Sequence, residues 1–398
     1  MNRFALETYP LEGKKVFLRC DFNVPVKDGR VSDDTRIRAA LPTITFLLNK
    51  NCTLIIGSHR GRPKGKIVEE LRMKIIVEAL QSLLPKRNII YVNDCIGEKV
   101  QLAVEKAKPG SIIILENLRF YKEEKDNDET FAHSLASLAD VFVNDAFGSM
   151  HRQHASITRM TRCLPSIAGF LVEKELFYLS KAIHPAKPAI WIMGGAKLEK
   201  MHFIKHALTH ATYVLIGGAL LFSFLKAKRI QVGMSKIDSE SVKVAKEILD
   251  SKQADKIVLP RDVQVGSSFS LHEKASSVSV NSIGTDQIGL DIGPESITLF
   301  KKYLRSAKTV IWNGPLGYYE NKAFAHATKE IAKCIQSLTA TSIVGGGETA
   351  DALRTLNLTH DITYISTGGG ATLQFLEGKA LPGMRALEES YRQFRNQA

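Results

Sequence analysis

Two kinds of residue in this chain are typed and spaced for chemistry on phosphate. The first is glycine at the ends of apolar runs. Ser342-Ile343-Val344 leads into Gly345-Gly346-Gly347-Glu348-Thr349, and the pattern recurs at Ile192-Met193-Gly194-Gly195, at Leu215-Ile216-Gly217-Gly218 and at Ser366-Thr367-Gly368-Gly369-Gly370. A turn without Cβ atoms lets backbone N–H groups approach an anion closely, and a helix beginning just beyond adds unpaired donors and a favourable dipole. Glu348 and Thr349 then stand where a metal ion or a phosphate oxygen would be. One such turn is usually a tight connection and nothing more. Several at one end of a parallel sheet make a nucleotide-sized floor.

The second kind is cationic. Arg36, His59, Arg62, Arg119, His151 and Arg152 fall at or just beyond the ends of apolar runs in the first half of the chain. Guanidinium groups suit bidentate recognition of carboxylate and phosphate. Alone, His59-Arg60-Gly61-Arg62-Pro63 would read as an exposed basic turn, but several arginine-bearing ends on one rim point to a small polyanionic substrate. In the second half, Lys197 follows Gly194-Gly195-Ala196, a place from which an ammonium could stabilise a phosphoryl group in flight. A polyanion on one half and a nucleotide on the other imply phosphoryl transfer between them.

The elements that must hold these residues follow from hydrophobic patterning. Val16-Phe17-Leu18, Leu54-Ile55-Ile56, Ile89-Ile90-Tyr91-Val92, Ile112-Ile113-Ile114-Leu115 and Val141-Phe142-Val143 are apolar without polar alternation, as in parallel strands covered on both faces. Asp126-Asn127-Asp128-Glu129 predicts a helix start ahead of Phe131, Leu135 and Leu138. A helix with the stripe Val172, Leu176, Leu179 and Ile183 is stopped by His184-Pro185-Ala186-Lys187-Pro188, and a second strand and helix series follows. The expected fold is α/β, with two doubly wound, Rossmann-like parallel-sheet domains joined by a hinge helix. The expected spans are an N-terminal, anion-binding domain over 1–170, an interdomain helix and hinge over 171–188, a C-terminal nucleotide-binding domain over 189–378, and a tail over 379–398 packing back on the first domain.

Bulk properties agree. A chain of 398 residues exceeds the usual span of one hydrophobic core. A net charge of +13 asks for anions, but the basic residues are scattered, and the interleaved aromatic and basic pattern of a nucleic-acid stacking platform is missing. Five widely spaced cysteines without a Cys-x-x-Cys pair indicate neither zinc nor a disulfide framework. With no signal-like apolar core at the start and no run long enough to span a bilayer, the expectation is a cytoplasmic protein without membrane or nucleic-acid partners.

The chain resembles the phosphoglycerate kinases over nearly its whole length. The matching stretches, in order, are Arg19-Cys20-Asp21-Phe22-Asn23-Val24-Pro25, Ser58-His59-Arg60-Gly61-Arg62-Pro63, Glu116-Asn117-Leu118-Arg119-Phe120, Asn144-Asp145-Ala146-Phe147-Gly148, Gly194-Gly195-Ala196-Lys197, Trp312-Asn313-Gly314-Pro315 and Ser366-Thr367-Gly368-Gly369-Gly370. The resemblance implies reversible transfer between 1,3-bisphosphoglycerate and MgADP, giving 3-phosphoglycerate and MgATP, by a monomer using Mg²⁺. It implies that Asp21, Asn23, Arg36, His59, Arg60, Gly61, Arg62, Arg119 and Arg152 bind the phosphoglycerate, with Arg36 and Lys197 catalytic. It implies that Gly195, Lys197, Lys200, Gly217, Gly218, Asn313, Pro315, Glu320, Gly345, Gly346, Gly347, Glu348 and Thr349 serve the nucleotide, Glu320 toward the ribose and Glu348 toward the metal.

Three departures fall on the nucleotide side. Glu348 stands where the family usually has aspartate, Ala219 where it has a third glycine, and the segment around Lys197 and Lys200 is one residue shorter than the family pattern. The competing expectations are a catalytically weakened relative that binds nucleotide or nucleic acid, and a kinase for another small carboxylate.

Overall fold

The structure is a computed structural model that describes residues 3–197 and 200–396. The chain divides into two compact units, one of residues 3–176 with 380–396, the other of residues 177–379.

The first unit is built on six parallel strands: β1 (Lys15–Cys20), β2 (Thr53–Gly57), β3 (Ile89–Tyr91), β4 (Ile112–Ile114), β5 (Val141–Asp145) and β6 (Ser166–Ala168). Their spatial order is β3-β4-β2-β1-β5-β6, so the direction of winding reverses between β1 and β5. Strand alternation sends neighbouring residues to opposite faces, and both faces are covered. Leu18, Leu54, Ile56, Ile112 and Ile114 enter one core, while Phe17, Ile55, Ile113 and Phe142 enter the other. Helix α1 (Thr35–Asn49) packs its buried Ile37, Ile44 and Leu47 on the first of these. The helix Glu129–Ala136 begins as its sequence predicts, with Asp128 Oδ1 accepting from the Phe131 N–H at 2.7 Å.

Helix α2 (Phe170–Ile183) carries the chain from one unit into the other, the boundary falling between Leu176 and Phe177. The second unit has its own parallel sheet of β7 (Ala189–Met193), β8 (Tyr213–Ile216), β9 (Ile257–Val258), β13 (Thr309–Asn313), β14 (Thr341–Gly345) and β15 (Tyr364–Ile365), in the order β9-β8-β7-β13-β14-β15. Between β9 and β13 the chain forms an antiparallel sheet, β10 (Asp262–Gly266), β11 (Ser276–Ser279) and β12 (Ile288–Ile292), ordered β11-β10-β12. The helices that matter for the site are α3 (Met201–His210) and α4 (Gly347–Thr355). A final helix, α5 (Pro382–Phe394), belongs to the first unit, where the Gly383 N–H donates to the Met150 carbonyl at 2.9 Å and the missing Cβ allows that approach.

Candidate active site

In an open parallel sheet the ligand crevice lies beyond the carboxyl ends of the strands, at the reversal of strand order. In the first unit this is the edge where β1, β2, β4 and β5 end. Asp21 and Asn23 follow β1, His59, Arg60, Gly61 and Arg62 follow β2, Arg119 follows β4 and Arg152 lies beyond β5. These residues are tied to one another. Arg36, near the start of α1, pairs with Asp21 at 3.0 Å. Asn23 Oδ1 accepts from the Gly61 N–H at 2.9 Å, and Arg119 Nη1 donates to the Gly61 carbonyl at 3.0 Å. Arg119 is held to about 10, below the ordinary arginine value, first by burial and then by the Arg19 charge. Arg62 and Arg152 are exposed and make no side-chain hydrogen bond or ion pair among the described residues. The rim therefore mixes fixed guanidiniums with free ones, an arrangement suited to a small, multiply charged anion. Arg60 differs from its neighbours: it is buried, and its Nη1 donates to the Arg72 carbonyl at 2.6 Å.

Beneath the rim lies a charged network that sequence reasoning did not single out. Arg19, fully buried at the end of β1, donates from Nε to Ser156 Oγ at 2.8 Å and lies 3.8 Å from Glu124 Oε1. Glu124 in turn accepts from the Ser156 hydroxyl at 2.7 Å and the Ser156 N–H at 2.9 Å. His59 Nδ1 sits 3.3 Å from Arg19 Nη2. Burial first, and then the charges of Arg19, Arg119 and Arg36, push the imidazole of His59 well below the ordinary histidine value, so it is neutral at pH 7. A neutral ring can accept from Arg19 and donate toward the rim. The available clue was Arg19 itself, a charge inside a run that is otherwise apolar and buried on both faces.

In the second unit the glycine turns after β7 and β13 cross at close range. A Cβ on Gly314 would lie 2.0 Å from the Gly194 carbonyl oxygen, and Gly314 has φ +96°. Gly217, after β8, packs against Leu316, and Gly218 has φ +57° with its Cβ position 2.5 Å from the Gly195 nitrogen. Asn313 Nδ2 donates to the Gly345 carbonyl at 2.9 Å, and Thr349 Oγ1 accepts from the Gly314 N–H at 2.6 Å, so the β14 turn is bound to the β13 turn. Beside this floor is a cavity of about 200 Å³ lined by Gly195, Gly218, Ala219, Pro315, Glu320 and Glu348. Ala219, which stands where the family has a third glycine, is part of that lining. The lining also includes the apolar Phe222, Leu290 and Leu316, and Phe269, another lining residue, has its ring edge-on to Tyr318 with centroids 5.8 Å apart.

Lys197 and Lys200 both reach Glu348. Lys197 Nζ is 3.0 Å from Oε1 and Lys200 Nζ 3.5 Å from Oε2. Lys200 directly precedes α3, whereas Leu198 and Glu199, the residues that decide whether the chain is helical across the shortened segment, lie outside the described residues. Burial alone would raise the Glu348 carboxyl, but Lys200 and Lys197 together hold it below the ordinary carboxylate value.

An arginine rim on one α/β unit and a glycine-floored cavity with lysines on the other are the apparatus of a kinase for a small anion. The model of the family described as phosphoglycerate kinase matches residues 6–379. The phosphoglycerate kinase of Moorella thermoacetica is 45% identical over 393 residues, covering 98% of this chain and 100% of the relative. That of Gloeothece citriformis is also 45% identical, over 96% of this chain and 97% of its own. Among solved structures, the phosphoglycerate kinase of Pyrococcus horikoshii aligns over 98% of this chain and 100% of its own, with TM-score 0.88 and 33% identity. That of Coxiella burnetii aligns over 98% and 99%, with TM-score 0.85 and 34% identity. The chain belongs to the phosphoglycerate kinase family.

Proposed function

We propose that this kinase catalyses the reversible transfer of a phosphoryl group from 1,3-bisphosphoglycerate to MgADP, giving 3-phosphoglycerate and MgATP, in the cytoplasm and as a monomer. The single observation that carries the reading is the occurrence of both halves of the apparatus in one chain: free and fixed guanidiniums at one sheet edge, and a Cβ-free floor beside a cavity of about 200 Å³ at the other. Relatives 45% identical that are named phosphoglycerate kinase disfavour a non-catalytic descendant.

On this reading Arg36, Arg62, Arg119 and Arg152 hold the phosphate and carboxylate of the glycerate, with Asp21, Asn23, Arg60 and Gly61 fixing the rim. The adenine lies against the apolar lining of the cavity, the ribose toward Glu320, and the phosphates over the turns at Gly195, Asn313 and Gly345. No general base is required. In the ATP-forming direction the attacking oxygen belongs to an ADP phosphate, and in reverse to a carboxylate already ionised at neutral pH. Catalysis then rests on positioning and on cations, with Arg36 and Lys197 placed to stabilise charge on the phosphoryl group in flight.

Mg²⁺ fits the residues present. This ion is commonly held by one or two carboxylates together with substrate phosphates, and Glu348 is the carboxylate among the residues lining the cavity beside the lysines. Among the described residues there is no group of three or more His, Cys, Asp or Glu that could hold a metal ion. When bound, it would neutralise charge on the phosphates. An acyl phosphate must also be kept from water, so the two units are proposed to close over the reactants about α2.

The test is a coupled assay with 3-phosphoglycerate and MgATP, the acyl phosphate being consumed by a downstream dehydrogenase with NADH. Turnover that requires all components supports the reading. Turnover with another carboxylate but not with 3-phosphoglycerate would replace the substrate, and binding of nucleotide without any turnover would revive the non-catalytic alternative.

A further inference from the structure

An exposed cation of the nucleotide cradle, Lys197, and a buried one, Lys200, are both paired with a carboxylate of the protein itself. Lys197 is 66% exposed and Lys200 8%, and Glu348, 31% exposed, forms an ion pair with each, Oε1 at 3.0 Å from Lys197 Nζ and Oε2, which makes no hydrogen bond, at 3.5 Å from Lys200 Nζ. The clamp is built from two turns. Lys197 and Lys200 flank the shortened segment after β7, while Glu348 is in the first turn of α4, where the helix dipole also favours an anion. Gly195 makes the clamp possible. A Cβ there would come within 2.9 Å of Glu348 Oε2 and 3.1 Å of Lys200 Nζ, and Gly195 holds φ +88°. A carboxylate presenting two charged oxygens to two ammonium groups copies what a terminal phosphate would offer the same pair.

We propose that Glu348 is an internal stand-in for the nucleotide phosphates: in the free protein its carboxylate occupies Lys197 and Lys200, and an incoming phosphate chain must displace it. The inference rests on the assignment of the nucleotide to this cradle. Its consequence is selection between forms of one ligand. Metal-free ADP brings further negative charge to a site already holding a carboxylate, and the displaced Glu348 is left beside it without a partner. ADP that carries Mg²⁺ offers the displaced carboxylate a cation. The stand-in therefore penalises the metal-free nucleotide most. The extra methylene of glutamate is essential to this. Aspartate at the same backbone position keeps the charge but is too short to span both ammonium groups.

Titration calorimetry with ADP in the presence of EDTA, and separately with excess Mg²⁺, tests this on the full chain. Glu348→Asp is expected to bind metal-free ADP about fivefold more tightly than the parent, the worth of roughly one partly buried ion pair, and Glu348→Gln at least as tightly. The gain should shrink when Mg²⁺ is present. Asp351→Asn is the control for long-range charge. Asp351 is 56% exposed, accepts from the Tyr319 hydroxyl at 2.7 Å and pairs with Arg354 rather than with either lysine, so its change should stay under about twofold. If Glu348→Asp binds metal-free ADP no better than the parent, the proposal is overturned, even if Glu348→Gln binds better, because only net charge would then be at work. Lys200→Ala separates the two levels. If it leaves ADP affinity unchanged, the nucleotide assignment itself is wrong. If it weakens ADP while Glu348→Asp has no effect, only the stand-in role falls.

Discussion

Arg36 Nη1 stands 3.0 Å from Asp21 Oδ1, and the same guanidinium nitrogen reaches the Asn23 carbonyl at 3.4 Å. The pair links the first turn of α1 to the end of β1, so the aim of a proposed catalytic cation depends on a carboxylate that is itself only 9% exposed. Asp21→Asn keeps the shape and removes the charge, and should weaken 3-phosphoglycerate binding about three- to tenfold. Arg36→Ala should weaken it by about a hundredfold, because it deletes a charge-assisted contact to the ligand itself. ADP affinity should stay within about twofold of the parent in both. Calorimetry showing both ligands weakened equally would contradict the assignment of the two substrates to separate units.

The buried network under the rim predicts a stability effect. Glu124→Ala leaves Arg19 buried without its carboxylate and strands the Ser156 hydroxyl, a change that typically costs about 3–5 kcal/mol. Both tryptophans, Trp191 and Trp312, lie in the second unit, so their fluorescence does not report on this change. The measurement is hydrogen exchange at the β1 amides, where protection should collapse while β13 is little affected. Undiminished protection in β1 would show that the network is dispensable for folding.

Asp145 gives a pH dependence whose sign can be stated. Its Oδ1 accepts from the Leu171 N–H at 2.9 Å and the Val172 N–H at 3.4 Å at the start of α2, yet burial dominates and pushes its carboxyl from the ordinary 3.8 up to about 7. Between those values the folded state holds a proton that the unfolded chain releases. The contribution of this group to stability is therefore fully present below 3.8 and lost as pH rises through about 7, a change of about 4 kcal/mol. A partly buried histidine acts in the opposite sense: His151, lowered to about 4 chiefly by desolvation, contributes stability that is lost as pH falls from 6.5 toward 4. The prediction is thus a difference. Urea unfolding of the parent and of Asp145→Asn from pH 4 to 8 should show stability of the parent falling, relative to the variant, as pH rises. Parallel curves would mean that Asp145 is ionised throughout.

Closure about α2 is the fourth prediction. Small-angle scattering should give a smaller radius of gyration with 3-phosphoglycerate and a non-reacting MgADP complex together than with either alone. An unchanged radius under double occupancy would count against closure as part of the catalytic cycle.

The parallel strands were legible because continuous runs such as Ile112-Ile113-Ile114 have no other stable home than a sheet covered on both faces. The glycine turns were legible because a Cβ-free strand end has few purposes. The sheet of β10, β11 and β12 was not legible. Its middle segment, Ser276-Ser277-Val278-Ser279, is polar and largely exposed, and only the burial of Val263 and Val265 on its neighbour reveals a strand there. Within the site, sequence order could place Lys197, Lys200 and Glu348 on one rim, but it could not show that the lysines meet the glutamate. That contact depends on the course of the chain after β7 and on side-chain reach. Nor could motif matching distinguish Arg60, turned inward onto the Arg72 carbonyl, from Arg62, left exposed two residues later.

The first unit is closed by α5, and the entire second unit, from Phe177 within α2 to Lys379, precedes α5 in the chain. During synthesis the first 176 residues must therefore wait, with the surface meant for Met384, Leu387 and Phe394 uncovered, until the whole of the second unit has left the ribosome. The order of maturation is the reverse of the order of translation: the half made second can finish folding first. A chain ending between Lys379 and Pro382 would present a complete second unit attached to an incomplete and aggregation-prone first one.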